Sequence, residues 1–216
     1  MRLPVPLPIA DLVPPPEAFA SRSRLHGQTH VARVMVHAFR LLDATSSSDL
    51  SAQLWASVYL HDLARTHDGP CGRHGRDAVE RLPSLPGVTT LFAKGGVRED
   101  DYAAIATAVT YHCRATELEP AHPHYRLTAL LKDADALDRV RISGGLDPAF
   151  LRHGEARAMV DFATALFEAS EQRLRPGPGH FAELWPIAVE LFRATGVSTS
   201  SECHGNPTES SDPYAV

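Results

Sequence analysis

An all-α protein is what this sequence predicts, and three observations carry the prediction. Apolar residues recur at helical spacing in segment after segment, no stretch alternates apolar with polar residues over a useful strand length, and clusters of Gly, Pro, Ser or Thr separate the periodic stretches. The first helix fits "GQTHVARVMVHAFRLLDAT" from about residue 27, where Val31, Val34, Met35, Ala38, Leu41 and Leu42 form an apolar stripe. "TSSSD" breaks it and supplies N-cap residues for a second helix over 49–65. A loop with Gly69, Pro70 and Gly72 follows, and a short helix starts near His74. "LPSLPGVTTLFAKGG" reads as a loop or a partly helical connector. "EDDYAAIATAVTYHC" is helical, with acidic residues at its start where the helix dipole favours them. "HPHYRLTALLKDADALDRVR" is a further helix with Pro123 near its first turn, and Asp147-Pro148 caps a short one. Amphipathic segments over 155–174 and 179–195 complete the set.

The chain divides into a proline-rich, irregular arm (1–22), one helical domain (23–195) and a polar, Ser/Thr-rich tail (196–216) expected to be disordered. Its 216 residues suffice for one domain with a real core, and 44% hydrophobic content is ordinary for a soluble protein. With 21 Lys and Arg against 26 Asp and Glu, the formal charge of −5 argues against an extended nucleic-acid surface, which would be basic. A nucleotide held in a local pocket is compatible with that charge. Cys71, Cys113 and Cys203 are too few and too scattered for a disulfide framework or a Cys-based zinc site, and none has the context of a nucleophile. A reducing cytoplasm is the expected location. Prolines interrupt any signal-peptide core in the first twenty residues, and no apolar run is long enough to cross a membrane. The unusual count is histidine, with 12.

The stretch "LHDLARTHDGPCGRHG" (60–75) shows why that count matters, because an apolar run ends in adjacent ionisable residues, which is costly unless they are neutralised. On a helical wheel Leu50, Leu54, Val58, His61, Asp62 and Arg65 share about a third of the circumference, so His61 and Asp62 continue the core-facing stripe. Leu127, Leu130, Leu131, Ala134 and Leu137 define the buried face of a later helix, with Asp138 in its middle, Asp135 at its edge and Asp133 pointing away. Ile105, Ala108, Val109 and His112 share another face, and His30 lies one turn before Val34. Taken singly, an inward histidine is a hydrogen-bonded core residue, and an aspartate in a helix is solvated or pairs with an arginine such as Arg139 or Arg141. Four helices that each direct a His or Asp inward fit a shared cation better. Imidazole nitrogen with carboxylate oxygen suits a borderline or hard divalent metal.

The order His30 (in "THVARV"), His61-Asp62 (in "LHDLA") and Asp135 (in "DADALD") resembles the H…HD…D signature of the HD-domain superfamily of metal-dependent phosphohydrolases, over residues 26–140. The resemblance implies an HD-domain-like bundle of about six to eight helices around a central metal site. His30, His61, Asp62 and Asp135 match the family's metal ligands. Some members hold two ions with extra histidines, and His74 and His112 are the well-placed ones here. The alternative is a mononuclear site in which these two bind phosphate or move a proton. The resemblance leaves Mn, Fe, Ni, Co, Zn and Mg equally open, and the family's frequent homodimers make a homodimer an expectation. Arg65 stands where some HD nucleotidases carry an acidic residue; its planar fork suits a phosphate and it cannot act as a base. Lys94 is a further phosphate candidate, as is Lys132, for which a helix-surface role is the simpler reading. Asp138 is expected to orient a ligand imidazole.

The expected activity is therefore hydrolysis of a small phosphate ester, a nucleotide above all, with Asp62, Arg65, His74 and His112 as catalytic candidates. The alternatives are a di-iron oxygenase of the same superfamily and a non-catalytic ligand-sensing module. His67 and His26 are doubtful site members, and His37, His122, His124, His153, His180 and His204 read as surface or packing residues.

Overall fold

In the computed structural model, which describes residues 3–175 and 180–196, every regular element is helical. The α-helices are α1 (Gln28–Ala44), α2 (Ser51–Leu60), α3 (His74–Arg81), α4 (Val88–Lys94), α5 (Tyr102–His112), α6 (Tyr125–Leu137), α7 (Gly154–Arg157), α8 (Val160–Arg173) and α9 (His180–Gly196). The tail expected over 196–216 lies outside the described residues, apart from Gly196, which ends α9.

Helix α1 is the hub. From His30 to Leu42 all but one of its residues are buried, so it reads as a helix covered on every side. It packs against α2, α6 and α9, while α5 lies on α2, α3 and α6. Trp55, Tyr59 and Phe92 meet edge to face at centroid distances of 5.3–6.1 Å and lock α4 to α2. Gly95, just past α4, is required by that contact, since a Cβ there would come within 2.3 Å of the Trp55 ring. No helix among the described residues is long and apolar enough to cross a membrane.

The N-terminal arm is irregular, with short 3₁₀ turns, and packs on the helices: Leu12 and Val13 are buried and the Trp55 indole donates to the Leu12 carbonyl at 2.9 Å. Two helix boundaries differ from expectation. Helix α2 stops at Leu60 rather than near residue 65. There the His61 imidazole takes the Val58 carbonyl (2.7 Å) and the chain tightens, with Leu63 N–H donating to the Leu60 carbonyl at 3.0 Å. Helix α6 ends at Leu137 rather than running on to Arg141, with Asp138 beginning a 3₁₀ turn, while Pro123 stands just before the N-cap residue His124.

Candidate metal centre

Helix ends, more than helix faces, build the site. His30 comes from the first turn of α1, His61 and Asp62 from the turn that ends α2, His74 from the first residue of α3, His112 from the last of α5, and Asp135 from the last turn of α6. The imidazoles of His30, His61, His74 and His112 are buried, as is Asp62, while Asp135 is partly open.

Three of these imidazoles have their tautomer set from behind. His30 Nδ1 faces Asp138 Oδ2 at 2.7 Å, His61 Nδ1 faces the Val58 carbonyl at 2.7 Å, and His112 Nδ1 faces the Val109 carbonyl at 2.6 Å. Each acceptor holds a proton on Nδ1, which leaves Nε2 as the atom facing the site. Asp138 is itself fixed by Arg33, whose Nε donates to Oδ1 at 2.6 Å, and by Arg141 at 3.3 Å. It thus orients a histidine and also pairs with arginines.

The Nε2 atoms and carboxylate oxygens then lie at regular separations. His30 Nε2 is 3.3 Å from Asp62 Oδ2, 3.3 Å from Asp135 Oδ1 and 3.2 Å from His61 Nε2. On the other oxygen of Asp62, His74 Nε2 lies at 3.1 Å and His112 Nε2 at 3.8 Å, with the two imidazole nitrogens 3.0 Å apart. Bonds of about 2.0–2.2 Å to one ion separate neighbouring ligand atoms by about 3.0–3.5 Å at right or tetrahedral angles. Most of these separations fall in that range, so the donor set could hold a metal ion.

The electrostatics state the same demand. Burial and the nearby Arg141 oppose a charge on His30, yet Asp135, Asp138 and Asp62 outweigh them and raise it to about 9. Burial alone would push Asp62 and Asp135 up, but the surrounding imidazoles hold both well below the usual carboxylate range. Burial drives His61 down to about 4. One proton on His30 Nε2 therefore faces three acceptors at 3.2–3.3 Å, longer than the roughly 2.7–2.9 Å of a good charge-assisted hydrogen bond. The cluster thus stabilises one positive charge, on His30, and opposes a second on His61.

A cavity of about 400 Å³ opens onto this cluster. Arg65, Arg114, Arg139 and Arg141 line it together with Asp62 and Asp135. Arg65 Nη2 donates to the Gly69 carbonyl and its Nη1 lies 3.1 Å from His74 Nδ1, while its buried Nε faces Asp62 Oδ1 at 4.0 Å without a hydrogen bond. Gly75 sets the α3–α5 contact: a Cβ there would come within 2.0 Å of the Val109 carbonyl and 3.0 Å of His112 Nδ1.

The structure thus brings together His30, His61, Asp62, His74, His112, Asp135, Asp138 and Arg65. It does not bring Lys94, which is exposed at the end of α4 beside the glycine that packs on Trp55, and which does not line the cavity. Lys132 is neither a phosphate ligand of this cavity nor a surface lysine: it is buried and donates to Glu117 (2.7 Å) and the Arg114 carbonyl (3.0 Å). Asp133 points away from the metal cluster but not to solvent, being fully buried against Arg152 and His153. His67 stays on an exposed loop. Sequence reasoning passed over Arg33, Arg114 and Cys113, and left His26 doubtful although it lines the cavity and lies 3.0 Å from Asp68. The available signal was position: Arg114 and Cys113 directly follow His112, and Arg33 lies one turn after His30.

Compared with protein-family models, curated proteins and solved structures, the chain matches none.

Proposed function

We propose that this chain is a metal-dependent phosphohydrolase of the HD type, acting on a phosphate ester of a small molecule, with a nucleotide as the first substrate to try. One observation carries the reading: the Nδ1 atoms of His30, His61 and His112 are each engaged from behind, and their Nε2 atoms and that of His74 lie 3.1–3.8 Å from the two oxygens of Asp62. His30, His61, Asp62 and Asp135 would hold one divalent ion, and His74 and His112 with Asp62 a second. When bound, such ions polarise a phosphoryl oxygen and lower the pKa of water from about 15.7 toward about 7.

The chain's own residues supply the rest. Arg65 and the neighbouring Arg114, Arg139 and Arg141 neutralise phosphoryl charge at the mouth of the site. Asp138 and the Val58 and Val109 carbonyls keep three imidazoles in one tautomer and one orientation. His74 and His112 act as ligands in this reading, not as acid or base, because their Nε2 atoms face each other and Asp62.

The same nitrogen-rich set also suits two irons and an oxygen-dependent oxidation, but four guanidinium groups around one cavity favour an anionic ester. The deciding experiment measures metal content of protein purified without chelator, with phosphate release from nucleoside mono-, di- and triphosphates and cyclic dinucleotides in Mn²⁺. Bound metal and phosphate release, both lost in His61→Ala and Asp62→Ala, are expected. Wild-type binding in those variants would overturn the reading; two irons with oxygen uptake and no phosphate release would transfer it to the oxygenase.

A further inference from the structure

The two halves of the cluster do not have the same donors. Around His30 they are two imidazoles and two carboxylates, a nitrogen–oxygen set. Around His74 a different atom enters. Cys113 follows His112 at the end of α5, and its Sγ lies within 4.8 Å of ring nitrogens of both His74 and His112. It lines the same cavity as Asp62 and Arg65. Its sulfur lies 3.9 Å from the Thr110 carbonyl and also hydrogen-bonds with His74.

We infer that the second ion is bound by His74, His112 and the Cys113 thiolate together with Asp62, and that this half of the centre takes Zn²⁺, Fe²⁺ or Co²⁺ in preference to Mg²⁺ or Mn²⁺. The inference rests on the reading of the His/Asp cluster as a metal centre and adds a ligand and a metal class to it. Sulfur bonds to zinc at about 2.3 Å, and a thiolate selects softer cations over those that prefer all-oxygen shells. Closing from the present separation asks only for the one side-chain torsion of a cysteine and a small shift of the imidazoles. On binding, the sulfur–metal bond replaces the S–H bond and the proton leaves to solvent.

The surroundings fit a bound anion here only if a cation is beside it. Cys113 caps the C-terminal end of α5, where the helix dipole opposes negative charge. Cys71, the other cysteine at the cavity, is nearer the surface and belongs to no such ligand group among the described residues.

Titration of metal-free protein with Co²⁺ tests this directly, because a cobalt–thiolate bond gives a near-ultraviolet charge-transfer absorption that nitrogen and oxygen ligands do not. The wild type is expected to bind two equivalents and to show the band. Cys71→Ala and Cys203→Ala keep it; Cys113→Ser loses it, and the affinity for the second equivalent falls by more than about a hundredfold, the upper end of the loss for outer-shell partners. A wild type without the band, or a Cys113→Ser variant that retains it, overturns the inference. Because the wild-type spectrum is read first, a variant that fails to fold does not protect the claim. One equivalent with no band removes the thiolate site and leaves the His30 site standing; no binding at all removes both.

Discussion

Asp133 and Asp135 sit two residues apart on α6, and the chain treats them in opposite ways. Asp133 is completely buried and completely satisfied: it accepts from the backbone N–H groups of Arg152 (2.9 Å) and His153 (2.9 Å), from Arg152 Nη1 (3.0 Å) and from His153 Nδ1 (2.8 Å). Asp135 faces His30 Nε2 at 3.3 Å and opens onto the cavity. A carboxylate whose lone pairs are all occupied by protein donors fastens structure; here it ties α6 to the segment that leads into α7. A carboxylate left short of donors beside other acceptors is held ready for a cation. The same amino acid in the same helix thus serves stability in one case and, in our reading, binding in the other.

The comparison breaks first at Asp133. In Asp133→Ala the Arg152 guanidinium loses one of its two carboxylates, keeping Glu117, and two partly buried N–H groups lose their acceptor. A broken buried pair typically costs about 3–5 kcal/mol, and the loss here should lie toward the lower end. Urea unfolding should show that loss, while the molecules that remain folded bind Co²⁺ as the wild type does. Asp135→Ala should invert the pattern. Metal-free stability should fall by less than in Asp133→Ala, since Asp135 is partly open and its one close partner is His30 Nε2 at 3.3 Å. Phosphate release falls on the order of a thousandfold, the equivalent of several kcal/mol of lost metal-assisted stabilisation. Equal stability losses in the two variants would end the distinction between a fastening and a binding carboxylate.

A third variant separates the two halves of the centre. In Gly75→Ala the added Cβ would meet the Val109 carbonyl at 2.0 Å, and a backbone oxygen inside a helix has little room to yield. Helix α3 must lift from α5 and carry His74 away from Asp62. Overpacking of this kind costs roughly 1–3 kcal/mol. Metal analysis should then find the second equivalent lost and the first, on His30 and His61, retained.

Much of this was legible in the sequence, and the part that was not has a physical pattern. Helices α1, α5 and α6 announced themselves through apolar stripes, and His30, His61, Asp62, His112, Asp135 and Asp138 could be singled out because each continues such a stripe. A wheel describes one helix and its inner face, so it was silent about what covers the outer one. That is why Asp133 read as pointing away when Arg152 and His153 were waiting on that side. It was equally silent past the end of α5, from which Cys113 and Arg114 reach the cavity. Lys94 failed for the converse reason, since a charge in a glycine-rich turn has no periodicity to place it.

His37 gives the smallest effect and tests the same logic in a group with no ligand to serve. It lies two turns after His30 on α1 and read as an ordinary packing residue; it is fully buried against Phe162, and neither ring nitrogen has a hydrogen-bond partner. Burial, opposed by Asp138 but joined by Arg33, Arg40 and His30, lowers it to about 4. The unfolded chain therefore takes up a proton near pH 6.5, and the folded chain refuses it until about 4. Within that window the unfolded state binds more protons, so acidification destabilises the fold and stability returns as the pH rises. By pH 5 the loss from this one group amounts to about 2 kcal/mol. His37→Leu removes the proton site and fills the same space, so the unfolding midpoint of the metal-free variant should fall less steeply than that of the wild type between pH 6.5 and 5. Because His61 is depressed in the same way, the slope is reduced rather than abolished. An unchanged slope would mean that His37 accepts its proton in the folded protein, and that the interior of α1 tolerates a charge away from the metal centre.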